Sequence, residues 1–222
     1  MGEIIRSIRN IDDIKAIESL PLEERVTTGS TYELIRKGAL QNPDAIALYF
    51  LLSGEMWERP IEVSYREFLA RSTQSANLFH DLGVGPRDVV TYILPNLPQT
   101  HFALWGAEAA GIANPINPVL EPTQIRDLMV SARTKVLVAL GEHPGSDIWP
   151  KVNAIRKDVP TLKGVVRVMG PSDEFEGICG YEEVIDGYDV EGLDSGRCIE
   201  PGEVCSLYHT GGTTGTPKLA RR

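Results

Sequence analysis

Three runs in this sequence, DVVTYILPN (88–96), KVLVAL (135–140) and GVVRVM (164–169), are apolar at nearly consecutive positions rather than at every second one. A strand that is apolar on both faces must be covered on both faces, which is the condition of a parallel sheet packed between helices. The segments between these runs carry the helical period instead. From Ser64 to Gly83, Tyr65, Phe68, Leu69, Ala76, Phe79 and Leu82 recur at helical spacing. Ser64 and Glu67 form the S-x-x-E pattern that caps a helix start, and Gly83 supplies the stop. QTHFALWGAEAAG (99–111) reads as a helix of small residues closed by Gly111, and IANPIN as a strand running into a loop. EPTQIRDLMVSART (121–134) opens with Pro122 in its first turn and buries Ile125, Leu128, Met129 and Ala132. DIWPKVNAIRKDVP (147–160) reads as helix from Lys151, because Pro150 belongs at a helix start.

This order predicts an α/β fold, a mostly parallel sheet with right-handed crossovers and helices on both faces. Upstream, one short helix is expected over Ile11–Leu20, and a second over TYELIRKGAL (31–40) with Leu34, Ile35 and Leu40 on its apolar face. AIALYFLL (45–52) and the run ending in IEV (61–63) read as two strands turned at Ser53-Gly54-Glu55. Residues 1–29 form a polar lead-in, and 30–170 an α/β sheet subdomain. Residues 171–202 form a loop-rich acidic connection with a short helix at YEEVI (181–185), and 203–222 the start of a second subdomain. That start is the strand EVCSLYHT (203–210).

Composition removes several function classes. A formal net charge of -9 argues against a nucleic-acid partner. Cys179, Cys198 and Cys205 form no C-x-x-C pair and read as reduced thiols of a cytoplasmic protein. The N-terminus lacks a continuous apolar signal core, Arg6 stands where myristoylation needs Ser or Thr, and no apolar run is long enough to span a bilayer.

The sequence then closes on YHTGGTTGTPKLARR (208–222), which places three glycines and four threonines in seven positions. Glycines let backbone N–H groups face anionic oxygens without Cβ interference, threonine hydroxyls donate further hydrogen bonds, and Lys218 adds a compact positive charge. A strand feeding such a loop has the composition of a polyphosphate cradle. The Walker A pattern does not fit, since Lys218 follows Pro217 and precedes Leu219. Nor does G-x-G-x-x-G, because Gly83 and Gly85 are followed by Asp88 at the third glycine.

The pattern that fits is the signature T-[SG]-G-[ST]-T-G-x-P-K-G of the adenylate-forming enzymes, which residues 210–219 match at nine of ten positions, Leu219 replacing glycine. SYREFLARSTQSANLFHDLGVGPRDVVTYILPNLPQTHFALWGAEAAGIANPINP (64–118) also resembles the N-terminal stretch of that family, and the likeness is to the fatty-acid and other carboxylate–CoA ligases (acyl-CoA synthetases). The resemblance implies the N-terminal part of the family's large domain. It implies ATP, Mg2+ and coenzyme A, and a carboxylic acid substrate, a fatty acid first among them. It assigns phosphate binding to Thr210, Gly211, Gly212, Thr213, Thr214, Gly215, Thr216 and Lys218, with Thr210 also reaching Mg2+, and places no catalytic acid or base within these residues. It implies further that the adenine-contacting motif and the C-terminal lysine domain lie beyond residue 222, so that the chain alone is inactive and exposes an edge prone to self-association or a disordered tail from Gly211. Two other readings stay open: a non-catalytic binding module on the same fold, and another adenylate-forming activity.

Side chains near the loop carry two readings each. His209 either lines a substrate pocket or bonds a neighbouring strand; His101, Phe102 and Trp105 read as packing residues, and Cys205 as buried. The pairs Asp12-Asp13, Glu23-Glu24 and Glu182-Glu183 read as solvated faces.

Overall fold

The computed structural model describes residues 8–51, 53–210 and 218–222. In chain order its elements begin with α1 (Ile11–Glu18), α2 (Leu22–Arg25) and α3 (Thr31–Gln41), then β1 (Ile46–Phe50), β2 (Ile61–Ser64) and α4 (Tyr65–Asp81). The central run is β3 (Val89–Ile93), α5 (Pro98–Ala110), β4 (Ile112–Pro115), α6 (Pro122–Ala132), β5 (Thr134–Leu140), α7 (Ile148–Ile155) and β6 (Gly164–Val168). It is followed by β7 (Ile178–Gly180), α8 (Tyr181–Val184), β8 (Leu207–His209) and β9 (Leu219–Arg221).

The five strands β4-β3-β5-β6-β7 form one sheet in that order, parallel throughout. Every residue of β3 is buried, as are Val136 to Leu140 of β5, so the continuously apolar runs lie where both faces are covered. Each large aliphatic side chain enclosed this way contributes about 1.5–3 kcal/mol. Helices α4 and α5 pack together, as do α6 and α7, and the right-handed crossovers put the two pairs on opposite faces. Ile125, Leu128, Met129 and Ala132 are the buried side of α6, as its period requires. From β3 the chain steps outward to β4 and then returns to β5, so the strand order reverses between β3 and β5. The small pair β1–β2 is antiparallel and leans on α4.

Three local readings are corrected. On α3 the inward side is Tyr32, Ile35 and Ala39, while Leu34 and Leu40 face solvent. Six residues of helix put Leu34 and Leu40 about 120° apart, too far to share one stripe. Helix α7 begins at Ile148, with Pro150 inside its first turn, where a missing N–H costs no helical hydrogen bond. Tyr65, at the first turn of α4, is exposed. The polar middle of α4 is fully enclosed: Ser72, Thr73, Gln74, Ser75 and Asn77 are all buried.

Those polar groups are buried because each has a partner. Asn77 Nδ2 donates to the Asp189 and Gly192 carbonyls at 3.1 and 2.9 Å, and its Oδ1 accepts from Asp194 N at 2.9 Å. Gln74 donates to the Tyr188 carbonyl, Ser75 bonds the Tyr181 hydroxyl and Thr73 the Tyr32 hydroxyl. The loop-rich stretch 171–202 thus supplies β7 to the sheet and folds back along α4. Glu182 and Glu183 are exposed, yet each accepts from a backbone N–H, of Met169 and Ser172 respectively, at 2.9 Å.

Candidate functional site

The segment that carries the glycines and threonines is flanked by two antiparallel strands, β8 and β9. Leu207, Tyr208 and His209 pair antiparallel with Arg221, Ala220 and Leu219. The ladder ends where Thr210 N donates to the Lys218 carbonyl at 2.8 Å. Within the stretch where a disordered tail is expected from Gly211, Leu219–Arg221 instead form strand β9. Leu219, where the family signature has glycine, is the first residue of that strand; it packs against the hydrophobic core, and its backbone φ is not positive. A strand start needs no glycine, which is why the substitution is accommodated.

Gly211, Gly212, Thr213, Thr214, Gly215 and Thr216 lie outside the described residues. Thr210 and Lys218 are exposed and stand at the two ends of that segment, so a hydroxyl donor and an ammonium are held together at the hairpin mouth. This donor set fits a polyphosphate. For Mg2+ the fit is narrower, because Thr210 offers one oxygen where the ion takes about six. Among the described residues no group of three His, Cys, Asp or Glu side chains could hold a metal.

The hairpin is seated on the edge of the parallel sheet. Ala113 of β4 donates to the Cys205 carbonyl at 2.9 Å, and Ala113 bridges Ser206 in parallel. Below that contact lies Glu108, a carboxylate on α5 that is 5% exposed and accepts from the Thr31 hydroxyl at 2.8 Å. Burial pushes the Glu108 carboxyl above its ordinary value, against the opposing pull of hydrogen bonds from Thr31, Ser206 and Cys205. Burial likewise raises the Tyr92 phenol at the end of β3, reinforced by Tyr208 and then Glu108. In the sequence Glu108 shows only as one acidic residue in the otherwise uncharged WGAEAAG.

Above the contact, at the mouth, His209 Nε2 accepts from Asn117 N at 3.2 Å. The bond to a neighbouring segment is therefore formed, and His209 lines a surface concavity as well. Ser206, Tyr208, His209, Thr210, Ala220 and Arg222 line an open concavity on this hairpin. His101 is half-buried between helices, its ring near Phe68, and burial lowers its pKa; Phe102 is buried, Trp105 is partly so, and Cys205 is half-buried rather than enclosed.

Residues 35–221 match the family model described as AMP-binding enzyme. Among curated proteins, the chain is 31% identical over 214 residues to a marinolic acid–CoA ligase of Pseudoalteromonas sp. (strain SANK 73390), covering 96% of this chain and 32% of that relative. It is 30% identical over 171 residues to 4-coumarate–CoA ligase 3 of Oryza sativa subsp. japonica, covering 76% of this chain and 28% of the relative. Among solved structures, an acetoacetyl-CoA synthetase from Streptomyces lividans superimposes with a TM-score of 0.73 at 22% identity, over 86% of this chain and 29% of that one. An anthranilate CoA ligase solved with anthranoyl-AMP gives 0.72 at 20% identity, over 92% and 35%. The chain thus spans about a third or less of the length of these proteins. Among the described residues no helix is long and apolar enough to cross a membrane.

Proposed function

Since this chain belongs to the AMP-binding enzyme family, we propose that it supplies the phosphate-gripping part of an ATP-dependent carboxylate–CoA ligase. The observation that carries this reading is the clasp between Thr210 N and the Lys218 carbonyl, which joins the two ends of the family's signature segment beside the edge of the parallel sheet. In the reaction, a carboxylate oxygen of the acid attacks the α-phosphorus of ATP and the bond to the β-phosphate oxygen breaks. This yields an acyl-adenylate and pyrophosphate. The thiol of coenzyme A then attacks the acyl carbon, and AMP departs.

The first step asks the protein to hold the leaving phosphates in line and to absorb their growing charge, a matter of position and electrostatics. We assign that work to residues 210–218: hydroxyls from Thr210, Thr213, Thr214 and Thr216, amides at Gly211, Gly212 and Gly215, and the Lys218 ammonium. Thr210 would offer one oxygen to Mg2+, which would help neutralise the phosphate charge. The acid is a carboxylic acid of the kind that CoA ligases activate, with fatty acids the first class to assay.

The test uses the full-length polypeptide that carries this chain. Pyrophosphate release with ATP, coenzyme A and a panel of fatty, aryl and short acids is expected with at least one acid and absent without it. No acid-dependent release across the panel overturns the proposal.

A further inference from the structure

We propose that His209 is a positioning residue that sets the height of the phosphate-binding hairpin on the sheet edge; this deepens the functional reading above and rests on it. Ala113 N bonds the Cys205 carbonyl, so β4 and the strand entering the hairpin start as parallel neighbours. The next β4 residue whose amide would face that strand is Pro115, which has no N–H; Ile116 N, like Ile112 N, faces the other side and bonds the β3 side of the sheet, at the Tyr92 carbonyl, at 3.1 Å. Backbone can no longer meet backbone, and the imidazole of His209 takes over, accepting from Asn117 N at 3.2 Å.

The platform that His209 meets is itself fixed. Asn117 Oδ1 accepts from Val119 N at 3.0 Å, and the Asn117 carbonyl accepts from Leu120 N at 3.2 Å. The next carbonyl, of Pro118, accepts from Lys151 Nζ at 3.1 Å, and Lys151 is paired with Asp147 at 2.9 Å. A chain of contacts therefore runs from α7, through the 117–120 turn and the ring of His209, to Thr210, the residue that closes the clasp on Lys218. Because Nε2 is the acceptor, the ring proton sits on Nδ1. Exposed hairpins on two short strands are weakly held. A side-chain bond at the mouth fixes the end that a nucleotide would meet, while the base is fixed by β4.

The test separates positioning from bulk. His209→Phe keeps a ring and removes the acceptor, whereas His209→Gln places an amide oxygen the same number of bonds from Cα as Nε2. In the full-length polypeptide, His209→Phe is expected to raise KM for ATP about tenfold, with KM for the acid unchanged, and His209→Gln to recover most of it. Lys151→Met is expected to raise KM for ATP in the same direction and to add little on top of His209→Phe. Independently of activity, nitrogen chemical shifts of the wild-type ring in the 222-residue chain should report the Nδ1–H tautomer. Wild-type KM for ATP in His209→Phe, a Gln variant no better than Phe, or an Nε2–H ring would each overturn the proposal. A wild-type protein with no use for ATP sinks the functional reading first, and this one with it; the tautomer still decides whether the contact exists.

Discussion

The backbone N–H of Thr210 donates to the carbonyl of Lys218 at 2.8 Å, so the two ends of the glycine–threonine segment are tied together by backbone alone. The Lys218 side chain takes no part in that tie and is exposed. Backbone and side chain of the same residue thus have separable duties, one structural and one toward a ligand. Lys218→Met should keep the clasp and remove the ammonium. We expect an unchanged melting temperature and a loss of about tenfold or more in kcat/KM for ATP. Thr210→Pro removes the N–H and should disorder the hairpin, visible as faster amide exchange over 207–209 and 219–221. Equal ATP kinetics in Lys218→Met would mean that its charge does not meet the phosphates.

Glu108 offers a prediction with a definite sign. Burial raises its pKa above the ordinary 4.5, so as pH rises the unfolded chain ionises first and folding is penalised above that value. Glu108→Gln keeps an acceptor for Thr31 and removes the penalty. The variant should melt higher than wild type at about pH 8, and the gain should vanish as pH falls below the ordinary carboxylate range. For a domain this size each kcal/mol appears as about 2–4 °C. A variant that is less stable at neutral pH would show that the charge, not the shape, holds the hairpin base.

Gly106 tests the packing of α4 on α5. A Cβ there would lie 2.6 Å from Ser75 Cβ and 2.9 Å from Ala76 N. Helix propensity alone favours alanine by about 1 kcal/mol. Overpacking against a backbone atom costs about 1–3 kcal/mol and should win. Gly106→Ala is therefore expected to lower the denaturation midpoint, and a rise would contradict the close approach of the two helices.

Asn77 anchors the stretch after α8 through three hydrogen bonds in a buried setting. Asn77→Ala leaves two carbonyls and one N–H unpaired, a loss of about 2–4 kcal/mol. Limited proteolysis should then cut within 188–196, where wild type resists. Unchanged stability and unchanged protection would mean that this stretch is held by other contacts.

How far the fold could be read from residues alone follows from which signal each element carries. β3, β5 and β6 announce themselves because continuous apolar runs have one stable home, the inside of a parallel sheet. The buried quartet of α6 follows from its period. The middle of α4 misleads for the opposite reason. Gln74 and Asn77 carry no apolar signal, and the return of 188–194 along the helix covers them through bonds to the Tyr188, Asp189 and Gly192 carbonyls. β7 is three residues in a glycine- and aspartate-rich stretch, and β9 is three residues with no pattern of their own; both are defined by a partner strand, which local sequence does not contain. The same limit applies at the site. Thr210 and Lys218 are legible from the signature, whereas the His209–Asn117 contact joins segments far apart in the chain, and Glu108 shows only as an acid out of place.

The central claim is that the glycine–threonine segment grips a nucleotide during carboxylate activation. The most direct measurement is exchange of labelled pyrophosphate into ATP by the full-length polypeptide, with and without acid, for wild type and for the Thr213→Ala, Thr214→Ala double variant. We predict acid-dependent exchange in wild type and at least about a tenfold loss in the variant, through a higher KM for ATP or a lower kcat. Acid-dependent exchange that the double variant leaves intact would contradict it.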